Sequence, residues 1–207
     1  MRAALVLALA GLTLASCKRK LSLPPPPDIE MIPDRYVQMV KTPEQRGRRP
    51  AVEDEVVKYD DAEWHQDSAR EAKLPEEAAA THIGMFLAWV VTRRLDAGPR
   101  FAEGSGSAAL DEANDRDDVR RRKMKGAALL RRWYDDKLFS EELTPEGAAF
   151  ANAYYVKHYF DDYNHTLAKG LASEYAVPDT WESFDKLAPV IDHRFAAWKA
   201  KHPKAGR

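Results

Sequence analysis

Apolar and polar positions along this chain fall into three regimes. Ala3 to Leu14 is an apolar run broken only by Gly11 and Thr13 and preceded by Arg2. It has the length of the hydrophobic stretch of an export signal and falls short of the ~20 residues that span a bilayer. From Cys17 to Val57 the pattern dissolves. Seven of the thirteen prolines lie there, against one aromatic residue, Tyr36. A segment with so little to bury cannot offset its chain entropy, and Pro24 to Pro27 favour stiff polyproline II, so an extended tether is expected. From Tyr59 onward apolar positions recur at helical spacing.

The third regime divides into helices with readable ends. Leu74-Pro75-Glu76-Glu77 opens one, with proline in the first turn and acids at the positive end. It runs through Thr81 to Val91, apolar nearly all round, towards Arg93 and Arg94, and is expected to be the central, buried helix. Gly84 inside it points to a close helix crossing, since glycine costs about 1 kcal/mol of helix propensity against alanine. Gly98-Pro99 and Gly104-Ser105-Gly106 mark a loop, and Asp115 to Tyr134 returns to helix. Thr144 and Pro145 read as cap and first residue of a helix reaching about Lys169, with Ala148, Ala151, Tyr155 and Tyr159 on one stripe. Pro178-Asp179-Thr180 caps a last apolar stripe from Trp181 to Trp198, in which Pro189 predicts a kink or a break near Ala188. No alternating run reads as a strand. The expected fold is all-α, a single domain of about five or six helices over residues 58–200. Residues 1–16 are read as the signal, 17–57 as anchor and tether, and 201–207 as a tail.

Leu14-Ala15-Ser16-Cys17 resembles the lipobox of bacterial lipoprotein precursors: a branched apolar residue, two small residues, then the cysteine that receives lipid. Cys17 is the only cysteine in 207 residues, so it has no disulfide partner within the chain. The resemblance implies cleavage before Cys17, acylation of its thiol and a protein held to a lipid membrane by acyl chains, at about 0.8 kcal/mol per buried CH₂. Lys18-Arg19-Lys20 would then lie against anionic headgroups. The implied location is the bacterial cell envelope, and the periplasmic face of the outer membrane in a Gram-negative cell.

Three further stretches carry a second resemblance. Tyr59-Asp60-Asp61-Ala62-Glu63-Trp64-His65, Leu74 to Ala78, and Thr81 to Trp89 are similar to an uncharacterised family of bacterial helical domains. Leu143 to Gly147, Asp161-Asp162-Tyr163 and Trp181 to Phe195 resemble its second half. The chain departs from that pattern at Gln66 to Lys73, charged here where the family carries glycine, and in a longer loop from Ala97 to Leu110. The likeness implies a discrete domain and no activity. A looser likeness to immunity-type bacterial domains is analogy alone.

Several polar residues have suggestive spacing. His158 and Asp162, Asp161 and His165, and Asp61 and His65 are each four apart, which on a helix suits either an ion pair or metal ligation. His82 sits within the most apolar helix. The candidate functional cluster is therefore Tyr59, Asp60, Asp61, Trp64, His65, His82, Asp161 and Asp162. The simpler reading is structural, with Asp60 or Asp61 capping the turn from Ala62 and His82 a hydrogen-bonded core histidine. No Glu-x-x-His, His-Glu-x-x-His or Gly-x-Ser-x-Gly pattern occurs, and no cofactor, metal or catalytic residue is assigned. The basic run Arg116, Arg120 to Lys123, Lys125 and Arg131-Arg132 is interleaved with Asp115, Asp117 and Asp118 in a chain of formal charge −1. It reads as a solvated helix face rather than a nucleic-acid surface. The expectation is a lipid-tethered, non-enzymatic helical module that binds another protein. The alternative is a metal-binding or hydrolytic enzyme built on Asp60, Asp61, His65 and His82.

Overall fold

The computed structural model describes residues 56–100 and 107–203. In chain order these form β1 (Lys58–Asp61), a 3-10 turn (Ala62–His65), α1 (Gln66–Glu71), a second 3-10 turn (Glu76–Ala80), α2 (Thr81–Thr92), α3 (Ser107–Arg120), α4 (Gly126–Tyr134), β2 (Lys137–Phe139), α5 (Pro145–Tyr154), α6 (Phe160–Tyr163) and α7 (Trp181–Lys201). Two π-helical turns, Tyr155–Tyr159 and Asn164–Ala168, continue α5 and α6 into one rod, giving six helical bodies among the described residues. The export-like run, Cys17 and the Pro-rich tether lie outside the described residues. Among those described, no helix is long and apolar enough to cross a membrane.

The domain is mostly helical, as the periodicity predicts, and α2 is its axis. Every residue from Thr81 to Val91 is buried. A stretch this apolar on all sides must be enclosed by neighbours, and α3, α4, α7 and β2 all pack on it. Gly84 marks the tightest crossing. A Cβ there would stand 2.2 Å from the backbone nitrogen of Ala127, and one on Gly126 would stand 1.8 Å from the Gly84 carbonyl oxygen. Two glycines facing each other let α2 and α4 meet backbone to backbone. At its far end α2 is tied to α7, where Asp192 accepts from Trp89 Nε1 at 2.8 Å and from Arg93 at 2.8 and 2.6 Å.

Thr144 caps α5 by accepting from the Gly147 amide, with Pro145 in the first turn, and Thr180 caps α7 by accepting from Ser183. Four details differ from the sequence reading. The first is a small sheet: β1 pairs antiparallel with β2, with a bulge between Lys58 and Asp60. Strands of four and three residues are too short to show alternation, and the bulge removes what alternation remains, because Tyr59, Asp60 and Asp61 are all buried. The second is that Asp115 to Tyr134 is two helices. Arg122 takes a left-handed backbone (φ 62°) and the chain turns so that Gly126 can reach Gly84.

The third concerns Pro189, which does not break α7. It is exposed, and so is Asp185, whose carbonyl loses the bond that proline cannot donate; water can satisfy that oxygen. The fourth corrects the solvated basic face. Arg116 is only 2% exposed, and its guanidinium meets Asp96 at 2.7 Å, Glu112 at 3.1 Å and the Tyr134 hydroxyl. Arg120 also reaches Asp96, at 2.8 Å, and caps α2 through the Val91 carbonyl at 3.2 Å. These two arginines turn inward because Asp96 and Glu112 wait there, and buried charge of either sign needs such pairing. Arg121, Arg122 and Lys123 remain on the surface, with Arg122 paired to Asp185.

Candidate functional site

A carboxylate and two imidazoles converge where β1, the turn after it and α2 meet. The bulge in β1 lets Tyr59 and Asp60 both face inward. The Tyr59 hydroxyl donates to the Ala148 carbonyl at 3.1 Å, while the Asp60 carboxylate meets His65 and His82. Asp61, next in the chain, caps the 3-10 turn by accepting from the Glu63 amide at 3.1 Å, and that turn swings His65 back over Asp60. His82 enters from the first turn of α2 and is almost wholly buried.

Asp60 uses its full acceptor capacity. Oδ1 accepts from His65 Nε2 at 2.7 Å and from the Asp61 amide at 2.8 Å. Oδ2 accepts from His82 Nε2 at 3.1 Å and from the Tyr155 hydroxyl at 2.7 Å. A carboxylate offers about four lone-pair sites, and all four are taken. Burial alone would raise the Asp60 carboxyl, but hydrogen bonds from His65 and His82 overturn that effect and hold it below the usual carboxylate range. Burial pushes the His82 imidazole down, and the bond to Asp60 opposes this only in part. Near neutral pH the site therefore holds an ionised Asp60 and a neutral His82, with each Nε2 donating to the carboxylate.

Aromatic residues from the α5–α6 rod and the following loop complete the site. The π turn Tyr155–Tyr159 widens the helix by one residue, so adjacent Tyr154 and Tyr155 are both buried yet serve different partners. Tyr154 donates to Asp162 at 3.0 Å and Tyr155 to Asp60. Tyr159 donates to the His82 carbonyl at 2.6 Å. The Phe160 ring lies 5.2 Å from His82 and 6.3 Å from His65. Ser173 caps the short turn Glu174–Ala176 by accepting from the Tyr175 amide, and this sets the Tyr175 hydroxyl 3.0 Å from His65 Nδ1. Burial and the Asp60 charge push the Tyr155 hydroxyl well above its ordinary value, so it serves as a neutral donor.

Of the residues picked from sequence, the structure brings together Asp60, His65 and His82. Tyr59 forms a wall and Asp61 is occupied as a cap and by Lys58 Nζ at 2.9 Å. Trp64 points outward, 59% exposed, with Lys58 Nζ 4.5 Å from its ring centre. Asp162 lies apart from the cluster, held by Arg194 Nε and Nη2 at 2.8 Å each. Asp161 is exposed, and its carbonyl meets His165 Nδ1 at 2.8 Å. Tyr155, Tyr159, Phe160 and Tyr175 join the site without having been singled out for it. Tyr155 and Tyr159 read as an ordinary core stripe, and nothing around Tyr175 marks it. Among the described residues, Asp60, His65 and His82 offer ligand atoms to a metal, and their candidate atoms all lie within 4.8 Å of one another.

Residues 58–177 match the family described as Domain of unknown function (DUF7832), and the chain belongs to that family. The match ends before α7, so the likeness read in Trp181 to Phe195 lies beyond it. No curated protein and no solved structure gives a significant match.

Proposed function

We propose that this DUF7832 chain is a non-enzymatic, protein-binding lipoprotein of the bacterial envelope, its helical domain tethered through residues 17–57 to acyl chains on Cys17, in an immunity-like or assembly role. The observation that carries the binding role is the exposure of two large apolar side chains, each one step along the chain or helix from a residue of the Asp60 cluster. Trp64, 59% exposed, directly precedes His65, and Val156, 52% exposed, stands one helical turn before the half-buried Phe160 that faces His65. Large apolar side chains left in water beside a rigid, hydrogen-bonded platform suit a partner's apolar anchor, and tryptophan is among the residues that most often dominate such contacts. A hydrolytic role for Asp60, Asp61, His65 and His82 has less support. Asp61 is committed to its cap and to Lys58, so it is not free to act as a second carboxylate in such chemistry.

The anchor rests on the Leu14 to Cys17 sequence, and the tether on its proline content. Feeding cells an alkyne-bearing fatty acid is expected to label the wild-type chain and not the Cys17→Ser variant, which should also leave the membrane fraction. Equal labelling of the two would remove the lipoprotein reading. A partner recovered by cross-linking that survives replacement of the tether, and is lost with Trp64→Glu, would support the binding role. A partner indifferent to Trp64→Glu would place the interface elsewhere.

A further inference from the structure

Asp60, His65 and His82 come from three separate elements, yet their candidate ligand atoms all lie within 4.8 Å of one another. We propose that this cluster is a binding site for a single divalent transition-metal ion of the zinc class, ligated by His65 Nε2, His82 Nε2 and one oxygen of Asp60. Two imidazoles and a carboxylate form a donor set suited to zinc, iron or cobalt rather than to calcium or magnesium, which prefer oxygen alone.

The spacing fits. Ligands held about 2.0–2.2 Å from a tetrahedral centre stand roughly 3.4 Å from one another. Asp60 Oδ1 lies 2.7 Å from His65 Nε2 and Oδ2 lies 3.1 Å from His82 Nε2, so an ion between the carboxylate and the two imidazoles requires these gaps to open by roughly 0.3–0.7 Å. Rotation of the carboxylate supplies such a movement. To bind the ion, each imidazole carries its hydrogen on Nδ1, which leaves the Nε2 lone pair free for the metal. On His65 that Nδ1–H then donates to the Tyr175 hydroxyl, 3.0 Å away, in the manner of the outer-shell partners that orient metal-bound histidines. Tyr155 steadies the carboxylate from the other side.

Two irregularities of the backbone also meet here. The bulge in β1 presents Asp60, and the π turn presents Tyr155. Both kinds of irregularity are concentrated at functional sites, where they re-aim a side chain at a cost in regular structure. The inference is independent of the partner-binding role, because the ion sits beneath the exposed surface rather than on it.

The test uses the full-length chain in detergent. Elemental mass spectrometry after desalting should find one equivalent of metal per chain. The chelator-stripped protein titrated with Co²⁺ should develop the visible bands of a four-coordinate site, with a water molecule as the fourth ligand, saturating at one equivalent. His65→Ala, the least buried of the three positions, should weaken Co²⁺ binding at least a hundredfold while leaving the circular dichroism spectrum unchanged. Tyr175→Phe should weaken it about tenfold, as loss of an outer-shell partner does. Should His65→Ala fail to fold, nitrogen-15 shifts of both imidazoles in the wild-type chain serve instead: Zn²⁺ should move both Nε2 resonances and remove their protons. A folded wild-type chain that binds neither Zn²⁺ nor Co²⁺ and keeps both Nε2–H protons would overturn the proposal, leaving a purely hydrogen-bonded knot. One equivalent of metal unaffected by His65→Ala would overturn it equally.

Discussion

Replacing Asp60 by asparagine changes one atom at the centre of the site and gives the sharpest single test of how it is held. The wild-type carboxylate accepts four hydrogen bonds, at 2.7, 2.8, 3.1 and 2.7 Å. An amide keeps one acceptor oxygen and turns the other position into a donor. With the amide nitrogen in place of Oδ2, that donor faces His82 Nε2–H and the Tyr155 O–H. His82 can yield by moving its hydrogen to Nδ1, but the Tyr155 O–H must rotate away from its acceptor, inside the core. A hydrogen bond to an ionised group contributes about 1.5–3 kcal/mol against about 0.5–1.5 for a neutral one, and a buried donor stranded without an acceptor costs about 1–3 kcal/mol. Removing a buried charge returns part of this. The net loss for Asp60→Asn is expected to be about 3 kcal/mol, a fall in Tm of roughly 6–12 °C for a domain of this size.

The assay is urea unfolding of both chains with a chelator present, so that no metal contributes. Its pH dependence adds a second condition. The Asp60 carboxyl is depressed in the fold, so the stability it confers is present above the ordinary aspartate value of 3.8 and is lost as pH falls through the lower folded value. The gap between wild type and Asp60→Asn should therefore be full at pH 7 and narrow below about pH 4. A loss under 1 kcal/mol at pH 7, or a gap that does not change on acidification, would mean that the four bonds to Asp60 do not hold the site together.

Other outcomes follow from the same structure. His82 is held neutral by burial, so the unfolded chain gains protons first as pH drops below 6.5; stability should be highest above that value and decline towards pH 5, with His158 adding in the same direction. A flat urea midpoint across that range would mean His82 is charged in the fold. Gly84→Ala should cost about 2 kcal/mol, since its new Cβ meets Ala127 backbone at 2.2 Å and the gain of about 1 kcal/mol in helix propensity cannot repay forcing α2 and α4 apart. An unchanged midpoint would contradict the close crossing. Pro189→Ala should stabilise α7 by about 1–2 kcal/mol, because a mid-helix proline costs about 3 and its rigidity in the unfolded chain offsets up to about 1; a destabilised variant would show that Pro189 packs against something essential.

Much of the fold was legible because its signals are local. The all-round apolarity of Thr81 to Val91, the Gly84 crossing and the Thr144-Pro145 and Thr180 caps each declare themselves within a few residues. β1 and β2 did not, since strands of three and four residues with a bulge have no period, and their pairing joins positions about eighty residues apart. The site divided the same way. His82 drew notice as a polar group in an apolar helix, His65 by its four-residue spacing from Asp61, and Asp60 as a cap candidate beside it. Tyr155 did not, because a tyrosine in a core stripe looks identical whether its hydroxyl reaches solvent or a carboxylate on a distant strand. Arg116 misled for the converse reason. Its place in a charged helix suggests water, whereas Glu112 on the same helix and the distant Asp96 and Tyr134 hold it inside.

Whether a partner protein docks beside the Asp60 cluster can be decided by site-specific photo-cross-linking in intact cells. A photoreactive amino acid in place of Trp64 should trap one reproducible partner by mass spectrometry, while the same group in place of the exposed Lys201 at the end of α7 should not. Trapping of the same protein from both positions, or of none from position 64, would rule out a docking surface at Trp64.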